Sequence, residues 1–166
     1  MLSILLSIPV LSIAAILQSA VVSRITILEG SADLVLVLLA AYSLQKSVTT
    51  AWQWAVVGGL LVDYLSGLPF GIFLFSYLAL TAAALVLRER VWRFSFVMML
   101  LVVLFGTFIS HAAALVVLIF QGASLNMLQV IQSVTLPSLV LNFLLSLPVY
   151  LLLQDSVQQL QSQEIQ

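Results

Sequence analysis

Apolar positions run in long blocks, and short polar links separate them. The first block, Leu2 to Val22, is broken only by serines, Pro9 and Gln18, and at about 20 residues it can cross a bilayer. A signal peptide is the rival reading, but no Lys or Arg precedes the run and it is too long for an h-region. Ser23 to Ala32 is a polar link with Arg24 and Glu29, and Asp33 is placed to cap the next helix. That helix, Leu34 to Gln45, is short for a full crossing. It is expected to tilt little, to thin the bilayer, or to be extended by its polar ends. The third span runs from Ala51 to Ser66, with Trp52 and Trp54 where an aromatic belt belongs. The fourth runs from Pro69 to Leu87 and ends in Arg88-Glu89-Arg90-Val91-Trp92-Arg93. The fifth is Phe94 to Phe120. After a polar link with Gly122 and Asn126, the sixth is Val130 to Leu153, with Pro137 and Pro148 inside it. The pattern predicts an all-α integral membrane protein, a compact bundle of about six transmembrane helices over residues 1–154. A short polar cytoplasmic tail, 155–166, follows.

Composition agrees with lipid as the solvent. The 166 residues are 63% hydrophobic and only 7% charged, too few charges to solvate a globular surface. Net charge is −1, which gives no case for nucleic acid, and cysteine is absent, so disulfides and thiolate chemistry are excluded. With six spans, Lys46, Arg88, Arg90 and Arg93 fall on the side of both termini and Arg24 falls opposite, so the termini are expected in the cytoplasm. The Arg88–Arg93 cluster reads as a topology anchor, or as a docking surface for anionic lipid or a cytoplasmic partner.

The densest pattern is Gly58-Gly59-Leu60-Leu61-Val62-Asp63-Tyr64-Leu65-Ser66-Gly67-Leu68-Pro69-Phe70-Gly71. It reads as the end of one span, a tight turn and the start of the next. Gly58 and Gly59 remove side-chain bulk so that another helix backbone can approach. Gly67 is expected to take a positive φ, and Pro69 to open the next helix. Asp63 stands inside an apolar run. It is either an interhelical polar anchor or ligand contact, or a protonated or capped carboxyl beside the turn. His111 is the single histidine, set at similar depth, and either pairs with Asp63 or bonds a backbone carbonyl. Ser138, Asn142 and Ser146 repeat every four residues and should turn one polar face into the bundle. Pro137 and Pro148 are expected to kink or start their helix. Catalytic signatures are missing: there is no Gly-x-Ser-x-Gly, no P-loop pattern and no carboxylate pair at membrane depth. A metal centre is not expected, nor any cofactor.

The Gly58–Gly71 run resembles the central motif of the rod shape-determining protein MreD family, a Gly-x-x-x-Asp segment followed by a short glycine-containing turn. The stretch Leu136-Pro137-Ser138-Leu139-Val140-Leu141-Asn142-Phe143-Leu144-Leu145-Ser146-Leu147-Pro148-Val149-Tyr150 is similar to that family's last span, with Pro, then Asn, then an aromatic. Size and six-span layout agree over the whole chain. The resemblance implies a non-enzymatic scaffold of the cell-elongation machinery in the bacterial inner membrane. It would bind the single-span protein MreC and help couple the MreB filament to a RodA-type glycosyltransferase and its transpeptidase partner. Asp63, Gly58, Gly59, Gly67, Pro69, Gly71 and Asn142 would then be structural. An alternative is the substrate-binding component of an energy-coupling-factor vitamin transporter, a six-span bundle of similar build. On the scaffold reading a partner helix is expected to dock at Gly58, Gly59 and Ala112 to Ala114; on the transporter reading the small pair Ala15 and Ser19 of the first helix would dock the transport partner.

Overall fold

The computed structural model describes residues 2–90 and 96–163, with side chains for 5–90 and 96–152. Its elements are α1 (Leu2–Ala20), a 3-10 turn (Val22–Arg24), β1 (Thr26–Ile27), β2 (Gly30–Ser31), α2 (Leu34–Ser43), α3 (Ala51–Leu65), α4 (Ile72–Arg90) and α5 (Phe96–Phe120). Then come α6 (Met127–Val130), a π-helical turn (Ile131–Thr135) and α7 (Leu136–Gln163). The last three run on as one rod, because Val130, Ile131 and Leu136 all keep helical dihedrals. Among the described residues, four stretches are long and apolar enough to cross a membrane: Leu5–Arg24, Ile72–Arg90, Phe96–Phe120 and Met127–Leu152. The helix continues through the Gln-rich stretch to Gln163. Val91, Trp92 and Arg93 of the basic cluster lie outside the described residues.

The shortest of the main helices is the centre of the fold. α2 is apolar on every side, and Val35, Leu36, Val37, Leu39, Ala40 and Ala41 are all buried. A helix with no polar face belongs inside a bundle, and α2 packs against α1, α3, α4, α5 and α7. Its ten residues span about 15 Å, half the hydrocarbon thickness. The sequence-based expectation that it would thin the bilayer or be extended by polar ends is corrected here. Other helices, not lipid, surround it, so its length need not match the membrane.

One end of α2 is closed by Arg88. Its Nη1 donates to the carbonyls of Ser43 (3.3 Å), Gln45 (2.9 Å) and Val48 (2.8 Å). These are carbonyls of the kind that a helix C-terminus leaves unpaired, and a cation suits them. Tyr42 stacks on Trp54 at the same end, centroids 4.2 Å apart. The other end of α2 therefore lies near mid-depth. The chain reaches it by a hairpin, with Thr26 opposite Ser31 and Ile27 opposite Gly30.

The hairpin is formed by the polar link expected over Ser23 to Ala32. It lies against the π turn. Pro137 has no N–H to offer the Ser133 carbonyl, and the Glu29 N–H takes that place at 3.0 Å. Ser31 N–H donates to Ser138 Oγ at 3.1 Å. A β-carbon on Gly30 would stand 2.6 Å from Ser138 N and 2.7 Å from Val134 O, so only glycine allows this approach. Leu28 holds φ +54 at the hairpin tip, 73% exposed. Non-helical backbone survives at such depth only against protein or a cavity, and here it has both.

Candidate functional site

Two carboxylates organise the polar interior. Asp63 is buried near the end of α3. Its Oδ2 accepts from Gly71 N–H (3.0 Å) and Leu74 N–H (3.1 Å), and its Oδ1 accepts from Phe73 N–H (2.9 Å). These are the first-turn donors of α4, which have no partner inside their own helix. Asp63 is therefore the N-cap of the following helix, supplied from the preceding one, and its negative charge faces the positive end of the α4 dipole. Gly59, one turn earlier, makes this possible: a β-carbon there would stand 2.5 Å from Leu74 Cα. Gly58 faces Leu39 and Val35 of α2 and Leu11 of α1.

Two details of this turn correct the sequence-based reading. The positive φ belongs to Gly71, at +103, and not to Gly67. Gly71 is the residue that must turn its amide back onto Asp63; both glycines have open space around them, so the difference lies in the backbone and not in crowding. Pro69 lies in the turn ahead of α4, which begins at Ile72, and so does not open the helix. The expected docking site at Gly58 and Gly59 is likewise overturned. Both are buried and already filled by α1, α2 and α4, so no outside helix can reach them. Ala112 alone of the expected set is exposed, on a groove of about 510 Å³ with Phe70, Phe75, Ile109 and Ala113.

The second carboxylate, Asp33, joins more distant parts. Its Oδ1 caps α2 by accepting from Leu36 N–H at 3.0 Å, and its Oδ2 accepts from the Tyr77 hydroxyl at 2.7 Å. Its own N–H donates to Asn142 Oδ1 at 2.6 Å. Asn142 Nδ2 donates to Thr107 Oγ1 at 2.9 Å, and Thr107 donates to the Val103 carbonyl at 2.8 Å. Gln18 Oε1 accepts from Val35 N–H at 3.0 Å. Side chains from α1, α4, α5 and α7 thus converge on the first turn of α2. Each residue sits in an otherwise apolar helix, where a polar group is kept only if it is bonded.

His111 and Asp63 are not brought together. His111 Nδ1 lies 3.1 Å from Thr135 Oγ1 on the π turn, one helical turn beyond Thr107. Of the predicted stripe on α7, Ser138 and Asn142 bond across to the chain entering α2, whereas Ser146 donates to the Asn142 carbonyl of its own helix. Pro137 begins α7 just after the π turn, and Pro148 lies inside α7 on its exposed side. Gln18 and Tyr77 were not singled out from the sequence as site residues. The available signal was their type, an amide and a phenol inside apolar runs.

Beside the Asp33 junction is a cavity of about 410 Å³, bounded by α5, the π turn and the hairpin. Glu29, Asp33, Ser110 and His111 stand on its wall, together with Leu115 and Leu118 further along α5. Among the described residues, no group of three His, Cys, Asp or Glu is placed to hold a metal ion.

Comparison with known proteins gives one informative result. No curated protein and no solved structure matches the chain. The family model for rod shape-determining protein MreD matches residues 1–159. Nearly the whole chain is covered, including both carboxylate junctions. This membrane bundle belongs to the MreD family, whose role is the determination of rod shape.

Proposed function

We propose that the chain is a non-catalytic scaffold of the cell-elongation machinery, held in the bacterial cytoplasmic membrane with both termini in the cytoplasm. It binds MreC and, through it, helps couple the MreB filament to a RodA-type glycosyltransferase and its transpeptidase partner. The observation that carries this reading is family membership over residues 1–159. The interior supports it, since both oxygens of Asp63 and both of Asp33 are engaged by donors that hold helices together.

The partner helix needs a lipid-facing surface that allows close approach, because in lipid apolar contact alone gives little preference for protein. The groove at Ala112 and Ala113, between the start of α4 and the middle of α5, has that character. The sidedness rests on Arg88 and the Gln45–Val48 link sharing one end of the bundle, as the positive-inside rule asks of a cytoplasmic face.

The test is co-purification from native membranes. MreC should be recovered with the wild-type chain and lost from Ala112→Leu, whose bundle stays inserted. Retention of MreC by Ala112→Leu would move the docking surface elsewhere. Recovery of a vitamin-loaded chain with ATPase subunits, and without MreC, would replace the scaffold reading by the transporter one.

A further inference from the structure

We propose that the cavity beside α2 is a binding site for a small amphiphile with a protonated amine head and an apolar body. Its volume of about 410 Å³ lies in the range of small-molecule sites. The wall has two chemically distinct ends.

The polar end is rich in acceptors and poor in cations. Glu29 and Asp33 bring carboxylates to it, and among the described residues no Lys or Arg is on the wall. Ser110 stands there on α5, 5% exposed, and its hydroxyl has no hydrogen-bond partner. A buried hydroxyl without a partner is costly, and a rotation of the Ser110 side chain toward the cavity would let a bound donor relieve that cost. His111 adds a second polar group. Its Nδ1 is engaged by Thr135, which fixes the ring and leaves the other nitrogen for a ligand.

The apolar end follows the same helix outward. Ser110, Ala114 and Leu118 succeed one another at four-residue spacing, as do Thr107, His111 and Leu115. Two adjacent stripes of α5 thus pass from polar to apolar along the wall. A head bound near Asp33 would lay its body against Leu115 and Leu118. An anionic head is disfavoured, because the site offers it two carboxylates and no compensating cation among the described residues.

The test uses the full chain in phosphatidylcholine nanodiscs, with 2-phenylethylamine as the amine probe and 3-phenylpropanoate as its anionic counterpart. Titration calorimetry should show saturable binding of the amine and none of the acid. Ser110→Ala and Glu29→Gln should each weaken the amine by about tenfold, the loss of one hydrogen bond or charge contact. Ser110→Ala should also leave the unliganded protein as heat-stable as the wild type or more so, since it removes a hydroxyl that has no partner. Absence of saturable amine binding would overturn the proposal. So would equal binding of the acid, or amine binding unchanged in both variants, which is partition into lipid. A lower melting temperature for unliganded Ser110→Ala would show that the hydroxyl has a structural partner, and would remove the basis of the site.

Discussion

Asp63 and Asp33 do similar chemistry over very different distances. Each carboxylate caps the first turn of a helix. Asp63 reaches amides 8 to 11 residues further along the chain, and the result is one tight turn between neighbouring helices. Asp33 caps its own helix, but its other bonds go to Tyr77 and Asn142, 44 and 109 residues away. The difference teaches where a membrane bundle needs polar groups. Near the end of the bundle a capped turn closes a hairpin of two helices. At mid-depth, where α2 begins without reaching the surface, its free N–H groups are met by side chains from other helices and not by the bulk water available at a bundle end. The local junction shapes a piece of the protein, and the distant one holds the pieces in one arrangement.

The largest effect should come from breaking the distant junction. Asp33→Leu leaves the Leu36 N–H and the Tyr77 hydroxyl without acceptors. At about 1–3 kcal/mol for each buried orphan, the bundle should lose about 2–6 kcal/mol of unfolding free energy in lipid–detergent bicelles. Asp33→Asn, which keeps one carbonyl acceptor, should lose about half as much. A next, smaller loss should follow from Gly30→Ala, since the added carbon meets backbone of α7 and the π turn. Overpacking of this kind costs about 1–3 kcal/mol, and the hairpin that delivers Asp33 should become more accessible to labelling at Leu28→Cys.

Asp63→Leu should cost less, about 1–2 kcal/mol, the usual range for a lost cap. Its turn lies beside exposed Tyr64 and Phe70 and can relax outward, which recovers part of what is lost. The damage should stay local, read as faster labelling of Gly67→Cys with no change at Leu28→Cys. The smallest pair separates the two glycines of that turn. Gly71→Ala forces a side chain onto φ +103 and should cost about 1 kcal/mol, whereas Gly67→Ala, with open space and no positive φ, should stay within about 0.5 kcal/mol of the wild type.

The same contrast explains what could be read from the sequence. Six apolar helices, their order and most of their limits follow from hydropathy, because the bilayer imposes it segment by segment. The Asp63 junction was legible in outline, since Gly59, Asp63 and the α4 start lie within one short stretch. Which glycine takes the positive φ was not, because Gly67 and Gly71 differ only in where the amide must point in three dimensions. Asp33 was legible as a cap, an interaction over three residues, and Asn142 as a buried polar residue. Their meeting was not, because no local pattern in one sequence registers a contact across 109 positions. Gly58 and Gly59 show the opposite error. Small residues announce that a backbone comes close, but not whether it belongs to the same chain.

The central claim is that Asp33 ties the bundle together at mid-depth while Asp63 acts only on its own turn. A double-mutant cycle on unfolding free energy tests it most directly, with Asp33→Asn, Tyr77→Phe and the pair, set beside the same cycle with Asp63→Asn. The account predicts a coupling of about 1 kcal/mol or more between Asp33 and Tyr77, and none beyond error between Asp63 and Tyr77. Additive losses in the first cycle, or an equal coupling in both, would contradict it.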